Sequence, residues 1–93
     1  MNKQDLPAII AMEECAEVTQ AISKVFRFGP NQVWQDMSNK ENLEVEIGQL
    51  LYAIDQLTLV WHLDTAAIDD AFTEKKLTSK QWETYFPESK NDS

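Results

Sequence analysis

The sequence predicts an all-α protein built around an antiparallel hairpin of two long helices. Apolar residues recur at helical spacing over two long segments, and helix-capping residues stand at their starts. Glycine occurs twice and proline three times in 93 residues, so few positions interrupt these segments. β-branched residues never alternate with polar ones over a useful length, and no strand is expected.

The first helix is expected over about Leu6–Phe28. Asp5 is the expected N-cap, and Pro7 lies in the first turn, where its missing N–H costs nothing. Gly29 and Pro30 should end the helix, because glycine supplies a left-handed residue after the last turn and proline cannot continue it.

The second helix should follow a connector at residues 31–37, which has room for one helical turn. Ser38 and Glu41 form a capping-box pattern, and the helix they open should reach about Trp61. At 100° per residue its apolar side chains fall within one arc of about 120°. The arc consists of Leu43, Ile47, Leu50, Leu51, Ile54, Leu57, Thr58 and Trp61. Gly48 costs about 1 kcal/mol inside a helix and indicates the close approach of a neighbouring helix.

The C-terminal third is predicted to hold short helices and a tail. Asp64 should cap a third helix that runs to about Leu77, and Ser79 should begin a short last turn. We expect residues 1–87 to form a single domain and residues 88–93 to be a disordered polar tail.

The two long helices carry more apolar surface than one chain can cover. A chain of this length buries only roughly 60–65% of its unfolded surface. A hairpin with short additional helices cannot cover both apolar faces. We therefore expect a homodimer or homotetramer with a four-helix-bundle core.

The charge composition excludes several classes of partner. The 8 lysine and arginine residues stand against 16 aspartate and glutamate residues, for a net charge of −8. Binding to a nucleic acid polymer or an anionic membrane requires clustered positive charge, so neither is expected.

No apolar run approaches the ~20 residues of a membrane span. The single cysteine, Cys15, fits a reducing compartment, and we expect a cytoplasmic protein.

The acidic residues of the first helix point toward its own apolar side. With Glu13 at zero on a helical wheel, Glu17 lies at about 40° and Glu14 at about 100°, whereas the apolar arc spans roughly 60–220°. An unpaired carboxylate there costs several kcal/mol or becomes protonated. A bound divalent cation is one remedy, and a solvated acidic face on an acidic protein is the alternative interpretation.

Basic and polar residues extend this pattern. Along one edge of the first helix the acidic residues come first, and Lys24 and Arg27 follow them. A metal-bound polyphosphate requires this order, because acidic residues hold the metal and basic residues hold the phosphates. The same two cations also suit the negative end of the helix dipole. On the second helix, Asn42 and Gln49 share the edge of Glu46, which could face the acids of the first helix.

These motifs resemble the MazG-like family of all-α nucleoside triphosphate pyrophosphohydrolases, particularly its short phage-type members. The family signature is Glu-Glu-x-x-Glu on one helix and Glu-x-x-Asp on the next. Residues 13–17 here read Glu-Glu-Cys-Ala-Glu, and residues 46–49 read Glu-Ile-Gly-Gln. Further similar stretches are Ala-Ile-Ser-Lys at 21–24, Arg-Phe-Gly at 27–29 and Asn-Leu at 42–43. The resemblance covers about residues 6–60.

The resemblance implies a specific reaction and a set of roles. A nucleoside or deoxynucleoside triphosphate would be cleaved between its α and β phosphates, giving a monophosphate and pyrophosphate. The cofactor would be Mg²⁺, with Mn²⁺ as a possible substitute. The matched positions are the catalytic residue Glu13, an acidic side chain that completes the site, the metal ligands Glu14, Glu17, Glu46 and Gln49, and the substrate contacts Lys24, Arg27 and Asn42. A phage-encoded member would act in the host cytoplasm.

Two residues leave alternatives open. Gln49 stands where the family has an aspartate ligand, and its neutral oxygen can still coordinate Mg²⁺ but holds the ion less strongly. The chain is therefore either a pyrophosphohydrolase or a catalytically weakened or inactive helical module that binds nucleotide or another protein. Trp34, in the connector, could stack on a nucleobase near the site or cap the open end of the hairpin.

Overall fold

The protein is mostly helical, as predicted. A computed structural model describes residues 2–79, and no helix in this range is long and apolar enough to cross a membrane. The elements in chain order are α1 (Leu6–Phe28), β1 (Val33–Trp34), β2 (Met37–Ser38), α2 (Asn39–Val60) and α3 (Thr65–Thr78). The chain divides into two compact units after Leu63. The short turn expected after Ser79 and the tail expected at 88–93 lie outside the described residues.

The bounds of α1 agree with the prediction, although one of its two end signals acts differently. Gly29 has a φ of 86°, and its N–H donates to the carbonyl of Val25, so the glycine ends the helix as expected. Asp5 occupies the N-cap position, but its side chain makes no capping hydrogen bond. Asp5 is therefore the N-cap residue as expected, but without the side-chain hydrogen bond that a capping aspartate usually makes.

The starts of α2 and α3 are capped as the sequence predicts. Both hydrogen bonds of the capping box are present, because the Ser38 hydroxyl accepts from the N–H of Glu41 and the Glu41 carboxylate accepts from the N–H of Ser38. The Asp64 carboxylate accepts from the backbone N–H groups of Ala66 and Ala67. Local sequence thus determines where these two helices begin.

The connector between α1 and α2 is a small β-hairpin, so the expectation of no strand is wrong. β1 pairs antiparallel with β2, and Trp34 lies opposite Met37. The two-residue loop between them, Gln35 and Asp36, has φ values of 52° and 67°. Positive φ at both loop positions is what a type I′ turn requires, and its usual sequence is Asn-Gly or Asp-Gly. Gln-Asp does not carry that signal.

Asn39 holds the hairpin against the end of α1. Its side chain is 6% exposed and donates to the carbonyl of Gly29 at 2.9 Å. Its backbone N–H donates to the carbonyl of Gln32 at 2.9 Å, and the N–H of Lys40 donates to that of Pro30 at 2.9 Å. The first residues of α2 therefore fix the path of the loop that precedes them.

α1 and α2 pack antiparallel along a narrow seam. Buried and half-buried residues recur at steps of three and four in both helices, the spacing of a coiled-coil contact. The seam contains Pro7, Ala11, Glu14, Val18, Ala21 and Val25 of α1, and Asn39, Leu43, Glu46, Leu50, Ala53, Leu57 and Val60 of α2. The indole N–H of Trp61 donates to the carbonyl of Gln4 at 2.6 Å, and this hydrogen bond joins the end of α2 to the start of α1.

Large apolar side chains remain exposed beside the seam. The buried apolar residues in the described part of the chain are three alanines, so the core of one chain is thin. The apolar arc predicted for α2 is split, because part of it enters the seam and part faces outward. Ile22 and Phe26 of α1 and Ile47, Leu51 and Ile54 of α2 are exposed, Phe26 to 86%. At 100° per residue these five lie on one side of the seam, and we call them the apolar face.

Replacement of Gly48 by alanine should stabilise the protein. Gly48 is exposed inside α2, and a Cβ there would meet no atom within 4 Å. The neighbouring helix expected at Gly48 is therefore not found among the described residues. Alanine should raise the free energy of unfolding by about 0.5–1 kcal/mol, seen as a higher urea midpoint at unchanged slope. A lower midpoint would mean that a second molecule packs against this glycine.

Candidate functional site

Three glutamates of α1 and α2 come together across the seam. One carboxylate oxygen from each of Glu14, Glu17 and Glu46 lies within 4.8 Å of the other two. Glu14 and Glu17 are one turn apart on α1, and Glu46 is supplied by α2. Glu14 and Glu46 are half-buried, and Glu17 is exposed. We call these three residues the acidic triad.

The triad raises the pKa of Glu14. The largest cause is a hydrogen bond between the carboxyl groups of Glu14 and Glu17, followed by partial burial and by the negative charges of Glu17, Glu46 and Glu13. Two carboxylates can share a hydrogen bond only when one of them holds a proton. The folded protein therefore holds the proton of Glu14 more tightly than an isolated glutamate does.

Burial is the main cause of the raised pKa of Glu46. A hydrogen bond with Glu17 and the negative charge of Glu17 raise the pKa further, and the positive charge of Lys24 opposes them. The Oε1 atom of Glu46 is closed off from solvent and has no hydrogen-bond partner. Buried acceptors without a partner are rare and cost about 1–3 kcal/mol.

The metal-free protein should lose stability as the pH rises from 5 to neutrality. Folding raises the pKa of Glu14 and Glu46 above the ordinary value of 4.5. The folded state therefore binds more protons than the unfolded state, and the free energy of unfolding falls with rising pH. Glu41 has the opposite effect on stability, because hydrogen bonds with Ser38 lower its pKa. The stability that Glu41 contributes is lost only as the pH falls below this range.

Thermal melting in EDTA at pH 5 and pH 7.5 measures this dependence. Glu46→Gln should reduce the difference between the two pH values, because it removes one of the groups with a raised pKa. Glu44→Gln, which removes an exposed carboxylate of the same helix, should leave the difference in place. A melting temperature that rises with pH in the wild-type protein would contradict the expectation.

The two predicted phosphate contacts lie in different surroundings. Lys24 is half-buried beside the triad, close enough for its charge to act on Glu46. Arg27 is exposed, and its guanidinium lies 5.0 Å from the centre of the Phe28 ring in a cation–π contact. Lys24 is thus the cation that the structure brings to the acidic triad.

Three further predicted site residues border the triad without belonging to it. Glu13 is exposed, and its charge contributes to the raised pKa of Glu14. Gln49 is exposed one helical turn after Glu46, and Asn42 is half-buried one turn before it. At helical spacing, Lys24, Asn42 and Gln49 therefore lie on the same side of the seam as Glu17, whereas Arg27 lies far from the seam.

A hollow opens where the β-hairpin covers the end of the seam. One part has a volume of about 220 Å³ and is lined by Lys24, Trp34, Gln35, Met37, Asn39 and Asn42. The other part, of about 380 Å³, shares Lys24, Trp34 and Asn39 and adds Phe28 and Gln32. We call the two parts the hairpin hollow. Sequence reasoning singled out Lys24, Trp34 and Asn42 and missed the others, because the hollow depends on the β-hairpin, whose turn at Gln35 and Asp36 carries no recognisable signal.

The exposure of Trp34 bears on its two interpretations. Its side chain is 69% exposed while it lines both parts of the hairpin hollow. A residue that capped the end of the hairpin would be buried against it. The structure therefore favours a side chain that is available to a ligand.

Comparison with known proteins adds no family assignment. No protein-family model matches the chain, and no curated protein or solved structure matches it either. The resemblance to the MazG-like family stays a prediction, supported by the motifs at residues 13–17 and 46–49. The functional argument therefore depends on the acidic triad, Lys24 and the hairpin hollow.

Proposed function

We propose that the protein is a Mg²⁺-dependent pyrophosphohydrolase that converts a nucleoside or deoxynucleoside triphosphate into a monophosphate and pyrophosphate. The observation that supports this most strongly is the acidic triad, in which three carboxylates from two helices converge and one buried oxygen has no partner. The motif resemblance supplies the reaction. The cation beside the triad, Lys24, supplies a place for phosphate.

The donor set of the triad suits Mg²⁺ or Mn²⁺. Both ions prefer carboxylate oxygens, and two oxygens at adjacent positions of an octahedral Mg²⁺ site, each about 2.1 Å from the ion, lie about 3.0 Å apart. The triad oxygens lie within 4.8 Å of one another, so binding to one ion would draw them together by up to about 1.8 Å. A divalent cation would also satisfy Oε1 of Glu46 and offset the negative charge of the triad, which adds to the effects of hydrogen bonding and burial on the pKa values of Glu14 and Glu46.

The chain's own residues divide the remaining work. When bound, the metal ion supplies charge stabilisation and an acidified water molecule. The acidic triad holds the ion, and the amide oxygen of Gln49 offers a neutral fourth ligand. Lys24 and Arg27 bind phosphate oxygens, whose charge increases as the bond between the α and β phosphates breaks. Glu13 accepts the proton of the attacking water, and Asn42 contacts the substrate.

We further propose that the working form is a homodimer or homotetramer. The apolar face is exposed in the single chain, and three alanines make a thin core. The face lies on the opposite side of the seam from the predicted site residues, so a second copy can cover it without closing the site. Two hairpins packed in this way form a four-helix core.

Pyrophosphate release across a panel of nucleotides tests the proposed activity. We expect release from at least one nucleoside or deoxynucleoside triphosphate in Mg²⁺, slower or equal release in Mn²⁺, and none in EDTA. A non-catalytic module would bind a non-hydrolysable triphosphate in Mg²⁺ without releasing pyrophosphate from any substrate. Isothermal titration beside the activity assay separates these two outcomes.

Gln49→Asp should increase activity when Mg²⁺ is limiting. The substitution supplies an anionic ligand one turn after Glu46, so Mg²⁺ should bind roughly 10-fold more tightly. At saturating Mg²⁺ the gain should shrink, because the ion is then already in place. Gln56→Asp makes the same change further along α2 and should not alter the Mg²⁺ dependence. Lower stability of Gln49→Asp without any pyrophosphate release, beside an inert wild-type protein, would support the module instead.

A further inference from the structure

The hairpin hollow combines the chemical groups that recognise a planar heteroaromatic ring. Trp34 offers an exposed indole face, on which every nucleobase can stack. Gln35 and Asn42 add side-chain amides, each of which can donate and accept hydrogen bonds. Gln35 and Asn42 line the smaller part of the hollow, about 220 Å³, and Trp34 also lines the larger part, whose volume of about 380 Å³ falls within the range of small-molecule sites.

The backbone of the β-hairpin is held in a conformation that non-glycine residues rarely adopt. Gln35 and Asp36 both have positive φ, and neither is glycine or asparagine. The hydrogen bonds from Asn39, which follows β2, to Gly29 and Gln32, which precede β1, anchor the hairpin at its base. Strained backbone persists where surrounding structure enforces it, commonly beside a ligand. Here the strained turn places Trp34 and Gln35 at the rim of the hollow.

Lys24 connects this hollow to the acidic triad. Its side chain lines both parts of the hollow, and its charge acts on Glu46. Asn42, one helical turn before Glu46, also lines the hollow. Metal ligands, cation and aromatic ring therefore follow one another along one side of the seam. A nucleotide presents its groups in the same order, with phosphates at one end and a planar base at the other.

We propose that the hairpin hollow binds the base of the nucleotide, with the base stacked on Trp34 and its edge hydrogen-bonded by Asn42 and Gln35. This inference rests on the proposed function, because the phosphates must lie at the triad for the base to reach the hollow. It makes the β-hairpin the element that decides which base is accepted. Changes at Gln35 and Asn42 should then alter base preference while the metal site stays intact.

Titration calorimetry in Mg²⁺ tests the assignment by comparing two probes. One is a non-hydrolysable nucleoside triphosphate, taken in turn with each of the common bases, and the other is inorganic tripolyphosphate, which has no base. The best nucleotide should bind the wild-type protein about 5- to 150-fold more tightly than tripolyphosphate. Trp34→Ala should remove this advantage without changing the affinity for tripolyphosphate, and Trp34→Phe should retain most of it.

Phe72→Ala is the matched control for Trp34→Ala. Phe72→Ala removes an aromatic side chain of similar exposure, 72% against 69%, and should leave the advantage intact. Equal binding of the two probes by the wild-type protein would overturn the base subsite and leave the metal and phosphate site standing. An advantage that survives in Trp34→Ala would also overturn it, because the base would bind elsewhere. Failure of both probes to bind would overturn the proposed function and the subsite together.

Discussion

Replacing Glu46 with glutamine should stabilise the metal-free protein and abolish its response to Mg²⁺. Glu46 carries a buried oxygen without a partner, and burial raises its pKa. Glutamine has nearly the same shape as glutamate but carries no charge. Its side-chain N–H group can donate a hydrogen bond to the carboxylate of Glu17. We expect a gain of about 1 kcal/mol in the free energy of unfolding in EDTA at neutral pH. The same change removes one anionic metal ligand.

Melting temperatures with and without Mg²⁺ measure both halves of this prediction. At a Mg²⁺ concentration ten times the dissociation constant, the wild-type protein should gain about 1.4 kcal/mol, or roughly 6–10 °C. Glu46→Gln should start higher in EDTA and gain nothing from Mg²⁺. Glu44→Gln, at an exposed position of the same helix, should respond as the wild type does. Identical melting of the wild-type protein in EDTA and in millimolar Mg²⁺ would contradict a metal site at the triad.

The loss of activity in Glu46→Gln should be as large as the loss of metal binding. Metal-ion catalysis supplies several kcal/mol of transition-state stabilisation, and each 1.36 kcal/mol is a factor of ten in rate. Pyrophosphate release should therefore fall by about 10²- to 10³-fold. A variant that is more stable than the wild-type protein and yet inactive would show that Glu46 lowers the stability of the fold and is required for activity.

Leu51→Glu should convert the oligomer into a monomer. Leu51 is 59% exposed in the single chain and belongs to the apolar face. If a second copy covers this face, the substitution buries an unpaired carboxylate at a cost of several kcal/mol. The dissociation constant of the oligomer should rise at least about 100-fold. Because one chain has a thin core, the melting temperature should fall as well.

Sedimentation at micromolar concentration compares Leu51→Glu with a matched control. Leu59 lies on the same helix and is 68% exposed, on the side of α2 opposite the seam. Leu59→Glu should remain oligomeric, with a stability within about 0.5 kcal/mol of the wild type. A wild-type protein that sediments as a folded monomer would exclude the proposed assembly. Equal effects of the two substitutions would place the interface elsewhere.

The sequence by itself determined the helices and their ends. Periodic apolar residues, the capping box of Ser38 and Glu41, the Asp64 cap and Gly29 are local signals, and each acts within a few residues of its own position. Helical spacing also indicated that Glu14 points into the apolar arc of α1 and that Glu46 lies beside the arc of α2, because position on a wheel depends only on residue number. The β-hairpin escaped prediction, since Gln35 and Asp36 lack the residue types that usually signal its turn.

Only the tertiary structure decided how these parts meet. Helical periodicity specifies which face a residue occupies, but not the axial register between two helices. That register brings the triad oxygens within 4.8 Å and closes Oε1 of Glu46 off from solvent. The anchoring of the β-hairpin by Asn39 likewise places Trp34 against the hairpin hollow. Such contacts join residues far apart in the chain, and their geometry follows from packing, which no local pattern encodes.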